Sequence, residues 1–297
     1  MASVIENKRE ETYLWNGLDD FLEACIISKT SRISSERDQN KEMFEENDIK
    51  KIDEFLIEGA AHTLESFVCW WEPHKPKNYW VGITGSWRTI NQEVVDDITE
   101  IVRYIINNNL GILTGGALGV DYIATEVVLR EGNPEEQLRI ALPINKFSYM
   151  RHFKNGAIKS VINPFQRNAI LEQITHISNR FPNIVFDGSY FDSEEFLKPE
   201  SSGYREACYS FRNNLVAHGC DGLIPFLVNN SDGVKDTVQK VKYMQKPVFD
   251  SDKLKYMIES DSEEVITDYS KIIFPNMPDK KYPLISSRGD SSEFRRK

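Results

Sequence analysis

Long apolar runs, a basic excess and paired cysteines are all scarce in this 297-residue chain. No stretch approaches the roughly 18 apolar residues that a spanning helix needs, so neither a transmembrane segment nor a membrane partner is expected. Lys and Arg number 36 against 46 Asp and Glu, a formal net charge of −10. The uniformly basic surface that grips nucleic acid nonspecifically is therefore missing, although a local basic cleft is still allowed. The four cysteines, Cys25, Cys69, Cys208 and Cys220, stand far apart with no CxxC pair, which points to neither a zinc site nor a disulfide framework. No metal and no cofactor is expected. The start, MASVIENKREETYLW, has no basic segment followed by an apolar one, and with reduced thiols the expected location is the cytoplasm.

What is present divides the chain in three. Residues 1–77 read as a helical N-terminal extension: Phe55 and Leu56, then Leu64, Phe67 and Val68, recur at helical spacing. A polar stretch at 31–47 separates two such helices, and EPHKPK at 72–77 reads as a linker. Residues 78–250 hold 17 Lys/Arg against 20 Asp/Glu, so most of the acidity lies in the flanks. Here short apolar runs alternate with amphipathic ones: YWVGIT, GILT, RIALPI, NIVFD and the run from Asp221 to Val228, with a last strand at Pro247 to Asp250. Thr89 with Gln92 reads as the capping box of the first intervening helix. This alternation predicts an α/β fold, a doubly wound and mostly parallel sheet with helices on both faces. Residues 251–297 read as a partly ordered C-terminal tail.

Ligands of such sheets bind outside the carboxyl ends of the strands, and the candidate residues gather there. In Gly82-Ile-Thr-Gly-Ser-Trp-Arg88, the small Thr84, Gly85 and Ser86 let backbone approach an anion at a helix start. Arg88 adds a bidentate phosphate contact, or is a solvated first-turn residue; Trp87 reads as packing. In Thr114-Gly-Gly-Ala-Leu-Gly-Val-Asp121, Gly115 and Gly116 allow unusual backbone, and Asp121 caps its helix or meets a ribose hydroxyl or a facing loop. This is neither the GxGxxG fingerprint nor a Walker A loop, so NAD binding and ATP hydrolysis drop. Arg205 and Arg212 share a helix face, with Asn213 beside the latter. Ser231, Gly233, Asp236 and Thr237 open the last helix, where another phosphate could sit. Between Arg139 and Arg180 seven basic residues face one acidic residue, which reads as a positive patch carrying Arg151 and His152, or as a solvated helix face.

The motifs GITGSWR, LTGGALGVDYIA and RNN…CDGLIPFLVNNSDGVKDTV with KPV resemble, in that order and over 78–250, the Rossmann-like superfamily containing the DNA-processing protein DprA, the LOG enzymes and the SLOG ligand sensors. The resemblance implies a nucleotide or nucleic-acid phosphate pocket at Thr84, Gly85, Ser86, Arg88, Gly115, Gly116, Asp121, Arg212, Asn213, Ser231, Gly233 and Thr237, to which the basic stretch adds Arg151. LOG enzymes carry PGGxGTxxE, whereas this chain has NNSDGVKDTVQ, with Gln239 and no double glycine. Leu118 replaces the arginine of the DprA-like GGARGID. The expected function is binding of a nucleotide-derived phosphate ligand without catalysis, by a sensor or carrier module. The alternatives are a LOG-like nucleotide N-glycosidic hydrolase using Asp121 or Asp236, and DprA-like binding of short single-stranded DNA. Oligomeric state is left open, a homo-oligomer included.

Overall fold

The computed structural model describes residues 18, 20–22, 24, 54–74, 77, 79–155, 158, 161–187, 189–250, 252–259 and 264–277. The polar stretch at 31–47, Cys25 and the last 20 residues of the expected tail lie outside them.

Helix α1 (Glu54–His74) leads into β1 (Trp80–Gly85), α2 (Gln92–Asn107), β2 (Gly111–Thr114), α3 (Val120–Glu131), the short α4 (Pro134–Gln137) and β3 (Leu138–Ala141). Then come α5 (Lys146–Asn155), α6 (Pro164–Arg180), β4 (Val185–Phe186), the short α7 (Ser193–Leu197), α8 (Ser202–Gly219), β5 (Gly222–Val228), α9 (Asp232–Tyr243) and β6 (Lys255–Tyr256). All five strand pairings are parallel and give the order β4-β3-β2-β1-β5-β6. This is an α/β sheet of the Rossmann-like kind. The strands are almost wholly buried, which explains why they read as continuous apolar runs. Among the described residues, no helix is long and apolar enough to cross a membrane.

The chain builds outward from β1 in one direction through β4, then returns to the other side of β1 for β5 and β6. Helices α2 and α3 pack side by side, as do α8 and α9, and the crossover rule for parallel strands puts the two pairs on opposite faces. In α2 the stripe Val94, Val95, Ile98, Val102, Ile105 and Ile106 is buried. Its N-cap is Asn91, whose side chain accepts from the Val94 N–H at 3.0 Å; the expected cap, Thr89, sits before the helix, its N–H donating to Ser86 Oγ. The polar stretch after β3 resolves into α5 and α6, the latter opened by a capping box between Asn163 and Gln166.

Both flanks belong to the same core. From α1, Phe67 stacks on Trp71 and meets Phe186 of β4 edge-on, and Trp71 meets Trp80 of β1. The strand expected at Pro247 to Asp250 is only a single bridge from Val248 to Leu223, and the paired sixth strand is Lys255–Tyr256. Beyond it, residues 264–277 are tied back across the first face: Ile266 N–H donates to Ile90 O, Arg103 to Pro275 O, Asn163 to Thr267 O, and Gly119 N–H to the Tyr269 hydroxyl.

Candidate functional site

Crossovers leave β1 and β5 in opposite directions, so the crevice of a doubly wound sheet opens at their carboxyl ends. A cleft of about 630 Å³ lies there, within the range of small-molecule sites. Its floor is Thr84 and Gly85 of β1, with Trp87 beyond. Ala117, Leu118 and Asp121 come from the glycine loop and α3, and Ser231, Asp232 and Gly233 from the start of α9. The far wall is Tyr149, His152 and Phe153 of α5 with Ile158 and Val161 after it. Helix α8 lines the whole length through Ser202, Arg205, Glu206, Tyr209, Arg212 and Asn213. These follow the spacing of one helical face and run about 16 Å at 1.5 Å per residue. The cleft therefore has two chemically different regions: polar atoms and a helix N-terminus beside β1 and β5, and an aromatic and aliphatic wall on α5.

The two glycine loops are packed against each other and against α8. A Cβ on Gly115 would lie 1.9 Å from the Arg212 guanidinium, and one on Gly119 would lie 2.0 Å from the Ser86 carbonyl oxygen. Gly119 also holds φ +69°. That contact is mutual, since the Val120 N–H donates to the same Ser86 oxygen at 3.1 Å. Tight internal contact, not only space for a ligand, accounts for these glycines. Gly233 is different: nothing lies within 4 Å of its Cβ position.

Asp121 does not cap α3, whose N-cap is Gly119. It reaches back instead, its Oδ2 accepting from the N–H groups of Gly115 at 3.1 Å and Ala117 at 3.2 Å, with Arg212 Nη1 at 3.6 Å. Both amides belong to the loop that leads into α3 itself, and the arginine comes from α8. Burial pushes its carboxyl above the usual range, opposed by the charge of Arg212 and by the two backbone bonds. Arg212 also donates to Gly115 O and to Asn213 Oδ1. Asn213 in turn donates to Asp236 Oδ2 at 2.9 Å, where Lys240 donates at 2.7 Å. Asp236 is thus outside the lining and held by two donors. Thr237 Oγ1 donates back to Gly233 O within α9.

Seven of the residues that the resemblance implies line the cleft together: Thr84, Gly85, Asp121, Arg212, Asn213, Ser231 and Gly233. Ser86, Gly115 and Gly116 stand behind it; the Gly116 carbonyl accepts from the Tyr149 hydroxyl. Arg88 is exposed, with its guanidinium 4.8 Å over the Trp87 ring. Arg151 pairs at the surface with Glu194 at 3.0 Å.

Three residues of the expected positive patch have partners of their own. Arg139 is buried at the amino end of β3, donating to carbonyls of His74, Glu135 and Leu138, with its pKa lowered by burial to about 10. Lys146 pairs with Asp187, so Lys146 and Arg151 each have a carboxylate partner. The acidic and basic side chains lining the cleft are two arginines, Arg205 and Arg212, against three carboxyl groups, Asp121, Glu206 and Asp232. Arg205 is fixed by the carbonyls of Phe196, Lys198 and Pro199, and among the described residues no carboxylate pairs with it. Sequence reasoning missed Glu206, Tyr209 and Ser202, although their spacing from Arg205 was a legible signal. It had no signal for Tyr149, Phe153 or Val161, which arrive by a long crossover.

No family model matches the chain, and no curated protein does. Among solved structures, the chain is similar to DNA processing protein A from Helicobacter pylori, described for its unique single-stranded DNA binding mode. The two are 20% identical with a TM-score of 0.37, over 64% of this chain and 69% of the other.

Proposed function

We propose that the cleft binds a small nucleotide-derived ligand and does not turn it over, as a sensor or carrier module would. The observation that carries this reading is the pairing, in one crevice, of an open helix start with an aromatic wall. The N-cap of α9, Ser231, makes no side-chain bond to its first turn, so the amides there, Ser231 Oγ and Thr84 are the phosphate partners in this reading. The nucleoside lies along α8 toward α5. A polyanion is disfavoured, because two arginines against three carboxylates cannot release many counterions; this places a single-stranded DNA ligand second. Hydrolysis is disfavoured because a positioned proton carrier, worth about 10² to 10⁴ in rate, is wanting in both sequence candidates. Asp121 is engaged by two N–H groups and Arg212, and Asp236 by Asn213 and Lys240 away from the lining.

Thermal unfolding with a panel of nucleoside mono- and diphosphates, cyclic dinucleotides and a short single-stranded DNA tests this. A ligand at a hundred times its Kd stabilises by about 2.7 kcal/mol, a rise of roughly 5 to 10 °C for a chain of this size. No shift with any nucleotide would sink the reading; free base appearing above background in the same samples would replace it with the hydrolase. A variant sharpens the location. Gly233→Asp has room at its Cβ and a carboxylate suits a helix first turn, so melting should hold or rise slightly. Affinity for a phosphate ligand should fall about tenfold from like-charge repulsion, and unchanged affinity would move the phosphate away from α9.

A further inference from the structure

The imidazole Nδ1 of His152 has no hydrogen-bonding partner. The residue is 3% exposed on α5, it lines the cleft, and that nitrogen is a buried polar atom. The ring is gripped rather than loose: Phe196 meets it edge-on at 5.1 Å and Phe153 at 5.8 Å. A histidine kept for packing alone would ordinarily satisfy its nitrogens, since a buried polar group without a partner is costly. Here the surrounding wall is Tyr149, Phe153, Ile158, Val161 and Tyr209, and Arg205 is the nearby cation. Burial first, and the charge of Arg205 second, lower the imidazole pKa to about 4. The ring is therefore uncharged at neutral pH, with one nitrogen a donor and the other an acceptor.

We propose that His152 is the base-reading residue of the cleft, its imidazole, with Nδ1 unpaired, hydrogen-bonding the edge of a nucleobase held flat against the aromatic wall of α5 and α8. The inference rests on the nucleotide reading above and adds to it the orientation and the basis of choice. The phosphate lies at α9, the base at α5, and discrimination among bases comes from one neutral donor and acceptor pair set in the aromatic and aliphatic wall. Such a site rejects bases that leave its polar group unpaired. It also explains why the ring is held so firmly, because a fixed imidazole reads an edge and a rotating one does not.

The test measures binding of the four nucleoside monophosphates and of ribose 5-phosphate to the unaltered protein, to His152→Phe and to His152→Gln. The unaltered protein should prefer one base by tenfold or more. His152→Phe should lose about tenfold for that base, level the preference among bases, and leave ribose 5-phosphate binding unchanged. Its melting temperature should not fall, because an apolar ring replaces an unsatisfied one in the same cage. His152→Gln should keep part of the preference. In the unaltered protein, the imidazole ¹⁵N resonances of His152 should move on adding the preferred nucleotide and stay still with ribose 5-phosphate. A preference in His152→Phe as large as in the unaltered protein, or still resonances with a nucleotide bound, would overturn this role and leave the phosphate site standing. Failure of every phosphate ligand to bind the unaltered protein would overturn both readings.

Discussion

Replacing Gly119 by alanine is expected to lower the unfolding free energy by about 3 to 4 kcal/mol. Two costs combine. The residue holds φ +69° and ψ −128°, a conformation that L side chains rarely adopt and that costs roughly 1 to 3 kcal/mol. The added Cβ would also fall 2.0 Å from Ser86 O, which is backbone and cannot rotate aside. To relieve that overlap the first loop must retreat from α3, which breaks the Val120 N–H to Ser86 O bond and pulls Gly119 N–H from the Tyr269 hydroxyl. Gly233→Ala is the control. With nothing within 4 Å and no positive φ, it should hold or gain up to about 1 kcal/mol by restricting the unfolded chain. Urea unfolding of the two variants should therefore give opposite signs for one chemical change; a loss below about 1 kcal/mol for Gly119→Ala would mean that the loops are not locked together as described.

Arg212→Ala is expected to cost about 3 to 5 kcal/mol at neutral pH, mainly through the carboxylate it leaves behind. Asp121 is 5% exposed and would keep only the N–H groups of Gly115 and Ala117. Asp121→Asn should cost less, about 1 to 2 kcal/mol, because its amide oxygen still accepts from those N–H groups. Adding Asp121→Asn to Arg212→Ala should recover much of the loss, and the double-mutant cycle should show strong coupling. The pH dependence follows from the sign of the shift. The folded-state pKa of Asp121 is raised above its ordinary 3.8, so the folded protein holds this proton more tightly and stability from this group falls as pH rises through the window above 3.8. Losing Arg212 removes a lowering influence and extends that window upward. The deficit of Arg212→Ala should accordingly shrink as pH is lowered toward 4; a deficit independent of pH would assign the cost to lost packing around Gly115 instead.

Chain periodicity and turn residues were enough to read the strand and helix alternation, the parallel sheet and the clustering of glycine loops at its carboxyl ends, because burial on both faces makes a strand a continuous apolar run and a glycine turn is a local requirement. The limits of local reading appear at particular residues. Thr89 and Asn91 are both plausible caps, and only the backbone path makes Asn91 the one that accepts from Val94. Val248 lies beside Leu223, yet the paired edge strand is Lys255–Tyr256. Gly115 was read for the unusual backbone it allows in a phosphate pocket, yet the Arg212 guanidinium, nearly a hundred residues along the chain, fills the space beside it, and the Ser86 carbonyl closes on Gly119. The basic run from 139 to 180 was real as composition, but which charge stays free is decided by partners such as Glu194 and Asp187. Likewise the aromatic wall around His152 exists only because α5, α7 and α8 meet. What the sequence determined by itself was strands β1, β2, β3 and β5 and helices α2, α3, α8 and α9, since those depend on near neighbours along the chain; the tertiary structure decided which side chains share a cleft and which charges cancel, since those depend on contacts between residues far apart in it.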